Sequence, residues 1–152
     1  VGEHAVVLLK AVKETGGRYL SSRSRMDEIV RGTGDIYEYL KDYFYGARNE
    51  RIFLLCLDGK GKVLGTRKIG EGNVNAAEIT TRGVVEAALS LNASQVVLAH
   101  NHPSGLALPS DEDKFTTQRL AKVLEAVNVE LVDHVVFSDD DMVSLRASGF
   151  QF

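Results

Sequence analysis

Cysteine is almost missing from this chain: Cys56 is the only one among 152 residues. An internal disulfide is therefore impossible, and so is a zinc knuckle built on cysteines. A lone thiol fits a reducing compartment. Long apolar runs are also missing, since none approaches the roughly 18 residues that a membrane span needs. The first residues lack the basic stretch followed by an apolar one that opens a secretory signal, and a cytoplasmic location is expected. Basic charge is not in excess. Lys and Arg total 18 against 21 Asp and Glu, for a formal net charge of −3. Such a balance does not suit a surface that holds a phosphate backbone throughout. Only Arg18, Arg23, Arg25 and Arg31 offer a local basic patch. There is no internal repeat and no low-complexity tract. What remains is an ordinary globular composition, 44% hydrophobic and 26% charged, long enough for one domain with a sizeable core.

Hydrophobic spacing predicts the elements. Residues 3–15 read as a helix on Ala5, Val6, Leu8, Leu9 and Val12, and 21–34 as a linker or extended arm rich in Ser, Arg and Gly. A tyrosine-rich helix is expected over 35–45, with Thr33 or Asp35 as N-cap and Gly46 as its stop. Its tyrosines read as core and groove filling. The apolar run Arg51–Leu57 fits a strand buried on both faces, Asp58-Gly59 a hairpin turn, and Val63 to Gly70 the returning strand. A helix over 76–91 should turn Ile79, Val84, Val85, Ala88 and Leu89 to one side. A short buried strand, 95–99, ends at the loop His100-Asn101-His102-Pro103-Ser104-Gly105. A long helix over 111–127 should bury Phe115, Leu120, Val123, Leu124 and Val127, and a second hairpin joins strands 130–138 and 142–145. Two hairpins interleaved with helices argue for an α/β fold with a mixed sheet flanked by helices, not a doubly wound parallel one.

The chemistry gathers at the loop after the 95–99 strand. His100 and His102 stand two residues apart, so in extended chain both imidazoles leave the same side. Two neutral imidazoles converging on one point are good zinc ligands. Asp113 opens the next helix eleven residues after His102, and the Pro/Gly loop folds it back toward the pair. Two nitrogens and one carboxylate oxygen leave a fourth tetrahedral position for water, the pattern of a catalytic site. Ser110-x-x-Asp113 is equally a helix-capping signature, and the two readings are compatible.

His100-x-His102-Pro103 followed by Ser110-x-x-Asp113 resembles the JAMM motif of MPN-type metallopeptidases. Within that superfamily the run HNHPSG…PSDED resembles the bacterial RadC family. The similarity extends through ERIFLLCLD (50–58), AEITTRGVVEAAL (77–89) and LVDHVVF (131–137), and covers about residues 35–150. It implies an MPN/JAMM-like, cytidine-deaminase-like architecture for a hydrolase domain over 35–152. Residues 1–34 would be the tail of an upstream helix-hairpin-helix segment plus a linker.

The resemblance also implies roles. His100, His102 and Asp113 would ligate one Zn²⁺, Glu50 would be the general base, and Ser110 would donate to the oxyanion of an attacked amide, peptide or isopeptide carbonyl. Glu78 is a rival carboxylate. It sits in Asn-Ala-Ala-Glu-Ile, where the family commonly reads Pro-Arg-Glu-Ile. Asp133 and His134 are candidates to support the ligands or to contact substrate, although a histidine on a strand also reads as a hydrogen-bonded core residue. Cys56 reads as a small core hydrophobe. A protein or peptide substrate is expected, with no membrane partner. Two alternatives stand beside the hydrolase: a DNA-repair-associated module, and a non-catalytic MPN scaffold binding protein or DNA. A zinc deaminase would need a P-C-x-x-C signature, which one cysteine cannot supply.

Overall fold

The computed structural model describes residues 28–72, 81–103, 105–139 and 141–152. The expected helix over 3–15, Arg18, Arg23 and Arg25, and Glu78 with the start of its helix lie outside them. In chain order the elements are α1 (Thr33–Phe44), β1 (Glu50–Leu57), β2 (Val63–Gly72), α2 (Thr81–Ser90), β3 (Gln95–Asn101), α3 (Asp111–Ala126), β4 (Glu130–Ser138) and β5 (Asp141–Ser144). The strands form one sheet in the order β2-β1-β3-β4-β5. Both hairpins and the β1–β3 pair are antiparallel, and β3–β4 is parallel. This is the mixed α/β sheet expected from the order of elements.

The central strands are apolar on both faces, and each face has its own core. Ile52, Leu54, Cys56, Val96 and Leu98 pack with Val84 and Ala88 of α2 and Leu120 and Leu124 of α3. Leu55, Leu57, Val97, Ala99 and Phe137 pack with Ile36, Tyr39, Leu40 and Phe44 of α1. Each large aliphatic side chain buried this way stabilises the fold by about 1.5–3 kcal/mol over leaving it in water. The tyrosines of α1 fill this second core: Tyr39 is buried, and Tyr43 meets Phe53 with ring centroids 5.1 Å apart.

Several expectations are corrected. Gly32, not Thr33 or Asp35, caps α1, and the Asp35 carboxylate accepts from Arg31 N at 2.8 Å. Phe115 and Leu89 are exposed: Phe115 lies on the face of α3 opposite Leu120 and Leu124, and Leu89 lies past the edge of the stripe that Val84 and Ala88 bury. β3 runs on through His100 and Asn101, which pair with Val136 and Phe137. The first hairpin turns over Asp58–Lys62, with Asp58 accepting from Lys60 N and Lys62 N. Gly61, not Gly59, takes the left-handed conformation there (φ +82°). A Cβ on Gly61 would stand 2.7 Å from Val30 O, because residues 28–30 run as an arm along this hairpin. No helix among the described residues is long and apolar enough to cross a membrane.

One irregularity sets the site. Val96 pairs with Leu131 but Val97 with Asp133, so Val132 is an extra residue in β4. Such a bulge switches the side-chain alternation. Leu131 and His134 both face α2 and α3, whereas Asp133 turns toward α1.

Candidate metal centre

Four elements meet at one end of the sheet. β3 supplies His100, and His102, the first residue past its end, is held by its backbone N–H on Phe137 O at 2.9 Å. The alternation of an extended chain carries both rings to the α3 side, where their Nε2 atoms are 3.0 Å apart. β1 opens with Glu50, two residues before Ile52, the cross-strand partner of His100. α3 begins beneath them with a full capping box: Ser110 Oγ accepts from Asp113 N at 3.0 Å, and Asp113 Oδ2 accepts from Ser110 N at 2.8 Å.

The cap aims the aspartate. Asp113 Oδ1 lies 3.3 Å from His100 Nε2 and Oδ2 lies 3.4 Å from His102 Nε2. A four-coordinate ion with bonds of about 2.0–2.1 Å separates its ligand atoms by about 3.3–3.4 Å. The spacings at this site, 3.0, 3.3 and 3.4 Å, lie near that separation, with one Asp113 oxygen facing each imidazole. Glu50, His100 and His102 also form a group whose donor atoms all lie within 4.8 Å of one another, so this corner of the sheet could hold a metal ion. The Glu50 carboxylate thus stands beside the three closely spaced donors.

Burial divides the two carboxyls. Burial raises the Glu50 pKa above its ordinary value, and the neighbouring imidazoles only partly offset it. Burial opposes ionisation of Asp113 too. There the adjacent His100 ring, with the hydrogen bonds of Ser110, prevails and holds the carboxyl well below the usual range. The first group is suited to taking a proton, the second to staying anionic.

The other sequence candidates fall in different places. Ser110 is exposed at the rim, with its hydroxyl oxygen engaged as an acceptor from the helix and its proton free to donate. Asp133 lies on the α1 side, where it accepts from Ser144 Oγ, His134 N and Arg146 N, and ties β5 to β4. His134 is fully buried behind His100, with its Nε2 2.8 Å from His100 Nδ1. Burial, reinforced by the adjacent His100 ring, pushes its pKa well below the ordinary value, which keeps His134 neutral. Cys56 is buried in the core, and burial pushes its thiol up to about 11.

Two residues here were not singled out in the sequence. Asn101 is buried between the histidines on the opposite face. Its Oδ1 accepts from Arg51 N at 2.6 Å and its Nδ2 donates to Asn49 O at 3.1 Å, so its amide clamps the backbone on both sides of Glu50. Its place inside H-x-H was the only available signal. Thr117 stands one helical turn after Asp113 and touches His134, and that i,i+4 spacing was its signal.

Residues 30–150 match the profile of the RadC-like JAB domain. Among curated relatives, the chain is 35% identical over 149 residues to UPF0758 protein PSHAa2643 of Pseudoalteromonas translucida (strain TAC 125), covering 98% of the chain and 66% of the relative. It is 36% identical over 142 residues to a UPF0758 protein of Pseudomonas fluorescens (strain SBW25), covering 93% and 63%. UPF0758 protein VCM66_0205 of Vibrio cholerae serotype O1 (strain M66-2) is 35% identical over 150 residues, 99% of the chain and 67% of the relative. The chain thus spans about two thirds of the length of these relatives. With its mixed sheet, its paired histidines and this match over most of its residues, the chain belongs to the RadC family and carries that family's JAB domain.

Proposed function

We propose that this domain is a zinc-dependent hydrolase of the JAMM type that cleaves an amide, peptide or isopeptide bond in a protein or peptide substrate. The observation that carries this reading is the convergence of His100 Nε2, His102 Nε2 and the Asp113 carboxylate, with contacts of 3.0–3.4 Å and the half-buried Glu50 beside them. His100, His102 and Asp113 would hold one Zn²⁺ per chain. Two imidazoles and one carboxylate form a borderline-soft donor set that suits zinc better than magnesium or calcium. A bound zinc ion would supply Lewis acidity and lower the pKa of a coordinated water to about 7.

The chain's own residues account for the proton traffic. Glu50 takes a proton from the attacking water as the water oxygen bonds to the carbonyl carbon. Ser110 donates its hydroxyl proton in a hydrogen bond to the oxygen that gains charge. Glu50 then returns its proton to the leaving nitrogen, and the C–N bond breaks. The raised Glu50 pKa suits both halves of this exchange. Glu78 stays the rival base, and a cytoplasmic setting fits the single thiol.

The test is metal analysis of the purified chain, followed by an amide-hydrolysis screen with and without chelator. One zinc per chain and chelator-sensitive cleavage are expected. Glu50→Gln should keep the metal and lose turnover. A variant that hydrolyses as fast as the parent would remove Glu50 from the base role. Tight, salt-sensitive retardation of duplex DNA by this chain would favour the DNA-associated reading instead; its net charge of −3 does not.

A further inference from the structure

Behind the candidate centre a buried polar chain runs from His100 back into α3, and the function proposed above uses only its first member, the His100 ring. His100 Nδ1 is 2.8 Å from His134 Nε2, His134 Nδ1 is 2.6 Å from Thr117 Oγ1, and Thr117 Oγ1 is 2.6 Å from Asp113 O. His134 and Thr117 are fully buried and His100 is nearly so, so no solvent competes for these groups.

The direction of every proton follows from the last link. A backbone carbonyl only accepts, so the single Thr117 hydroxyl proton goes to Asp113 O. Thr117 Oγ1 must then accept from His134, which places a proton on His134 Nδ1. A buried neutral imidazole carries one proton, so His134 Nε2 is bare. His100 must therefore donate its Nδ1 proton to His134. In neutral His100 this leaves Nε2 with an open lone pair, and Nε2 is the atom 3.0 Å from His102 Nε2 and 3.3 Å from the Asp113 carboxylate.

We infer that Thr117 and His134 are positioning residues that lock His100 into the tautomer whose Nε2 can bind a metal ion. The chain closes on itself. The same turn of α3 that carries the Asp113 carboxylate also anchors, through the Asp113 carbonyl and Thr117, the partner of His100. Two of the three ligands are thereby set by one helix, across a strand that reaches His100 only because of the Val132 bulge. Hydrogen bonding at the far nitrogen of a ligating imidazole fixes its tautomer, and loss of such partners typically weakens metal binding 10–100-fold. This inference rests on the proposed metal site, but its tautomer half does not need metal.

The experiment has two arms. In the first, nitrogen-detected histidine NMR of the metal-free chain reads the tautomers directly. His100 and His134 are each expected to carry the proton on Nδ1, and a proton on His100 Nε2 with Nδ1 bare would overturn the inference. In the second, zinc affinity is measured by competition with a chromophoric chelator for the wild type, Thr117→Val and Thr117→Ser. Valine keeps the shape and removes the hydroxyl, and an affinity loss of about 10–100-fold is expected. Serine restores the hydroxyl and should recover most of it. If valine binds zinc as tightly as threonine, the positioning role is wrong. If the wild type binds no zinc, the metal reading fails while the NMR arm still decides the tautomer.

Discussion

Replacing Asp113 by asparagine, and separately Ser110 by alanine, pulls apart two tasks that one carboxylate performs. Asp113 accepts from Ser110 N at 2.8 Å as half of the capping box, and it also faces both imidazoles at 3.3 and 3.4 Å. An asparagine oxygen can still accept from Ser110 N, so Asp113→Asn keeps most of the cap. It gives up the charge–dipole attraction of the first turn, worth about 0.3–1 kcal/mol. Ser110→Ala removes the acceptor for Asp113 N, a loss of about 1 kcal/mol. For a chain of this size 1 kcal/mol is about 2–4 °C in Tm. Zinc at a thousand times its Kd should add about 4 kcal/mol, or roughly 8–16 °C. The assay is thermal unfolding with chelator and with zinc. Wild type should show the full rise. Ser110→Ala should start about 2–4 °C lower and rise as far. Asp113→Asn should start close to wild type and lose the rise, because an amide oxygen poorly replaces an anionic ligand. A full zinc-dependent rise in Asp113→Asn would refute the ligand assignment, and its loss in Ser110→Ala would refute the division of labour.

Further outcomes follow from the same geometry. Glu50→Gln should lower the hydrolytic rate by about 10²–10⁴-fold while zinc content stays at one per chain, measured in parallel by kinetics and elemental analysis. Leu120→Ala, fully buried between α3 and the sheet, should cost about 2–5 kcal/mol in denaturant unfolding, whereas Phe115→Ser on the exposed side should stay within about 0.5 kcal/mol. The Cys56 thiol, raised to about 11 by burial, should be about a thousandth ionised at pH 8 and react with a thiol reagent only on unfolding. Because its folded pKa lies above the unfolded value, its contribution to stability is complete below that value. It declines as pH rises toward about 11, and Cys56→Ala should flatten that alkaline slope in urea melts.

The sequence carried the local features well. Unbroken apolar runs in β1 and β3 announced strands buried on both faces, and the layers of α1 on one side and α2 with α3 on the other follow from them. The Ser110–Asp113 cap was legible because capping is decided within four residues. The convergence of His100 and His102 follows from period-two geometry alone. What escaped depends on contacts distant in sequence. Phe115 is an exception: five and nine residues before Leu120 and Leu124, it falls on the far side of α3, as the 3.6-residue period already implies. No single-strand pattern marks Val132 as extra, and that one residue turns His134 to the face that Leu131 uses and Asp133 to the other. Asn101 acquires its role from Asn49 and Arg51, about fifty positions away.

The most direct measurement is an equilibrium zinc titration of the metal-free chain, run beside His100→Ala, His102→Ala and Asp113→Ala. Saturation at one ion per wild-type chain, with binding abolished or severely weakened in each variant, is the expected result. Wild-type stoichiometry and affinity in any of the three, or no binding to the wild type at micromolar zinc, would contradict the metal centre on which the proposed hydrolysis depends.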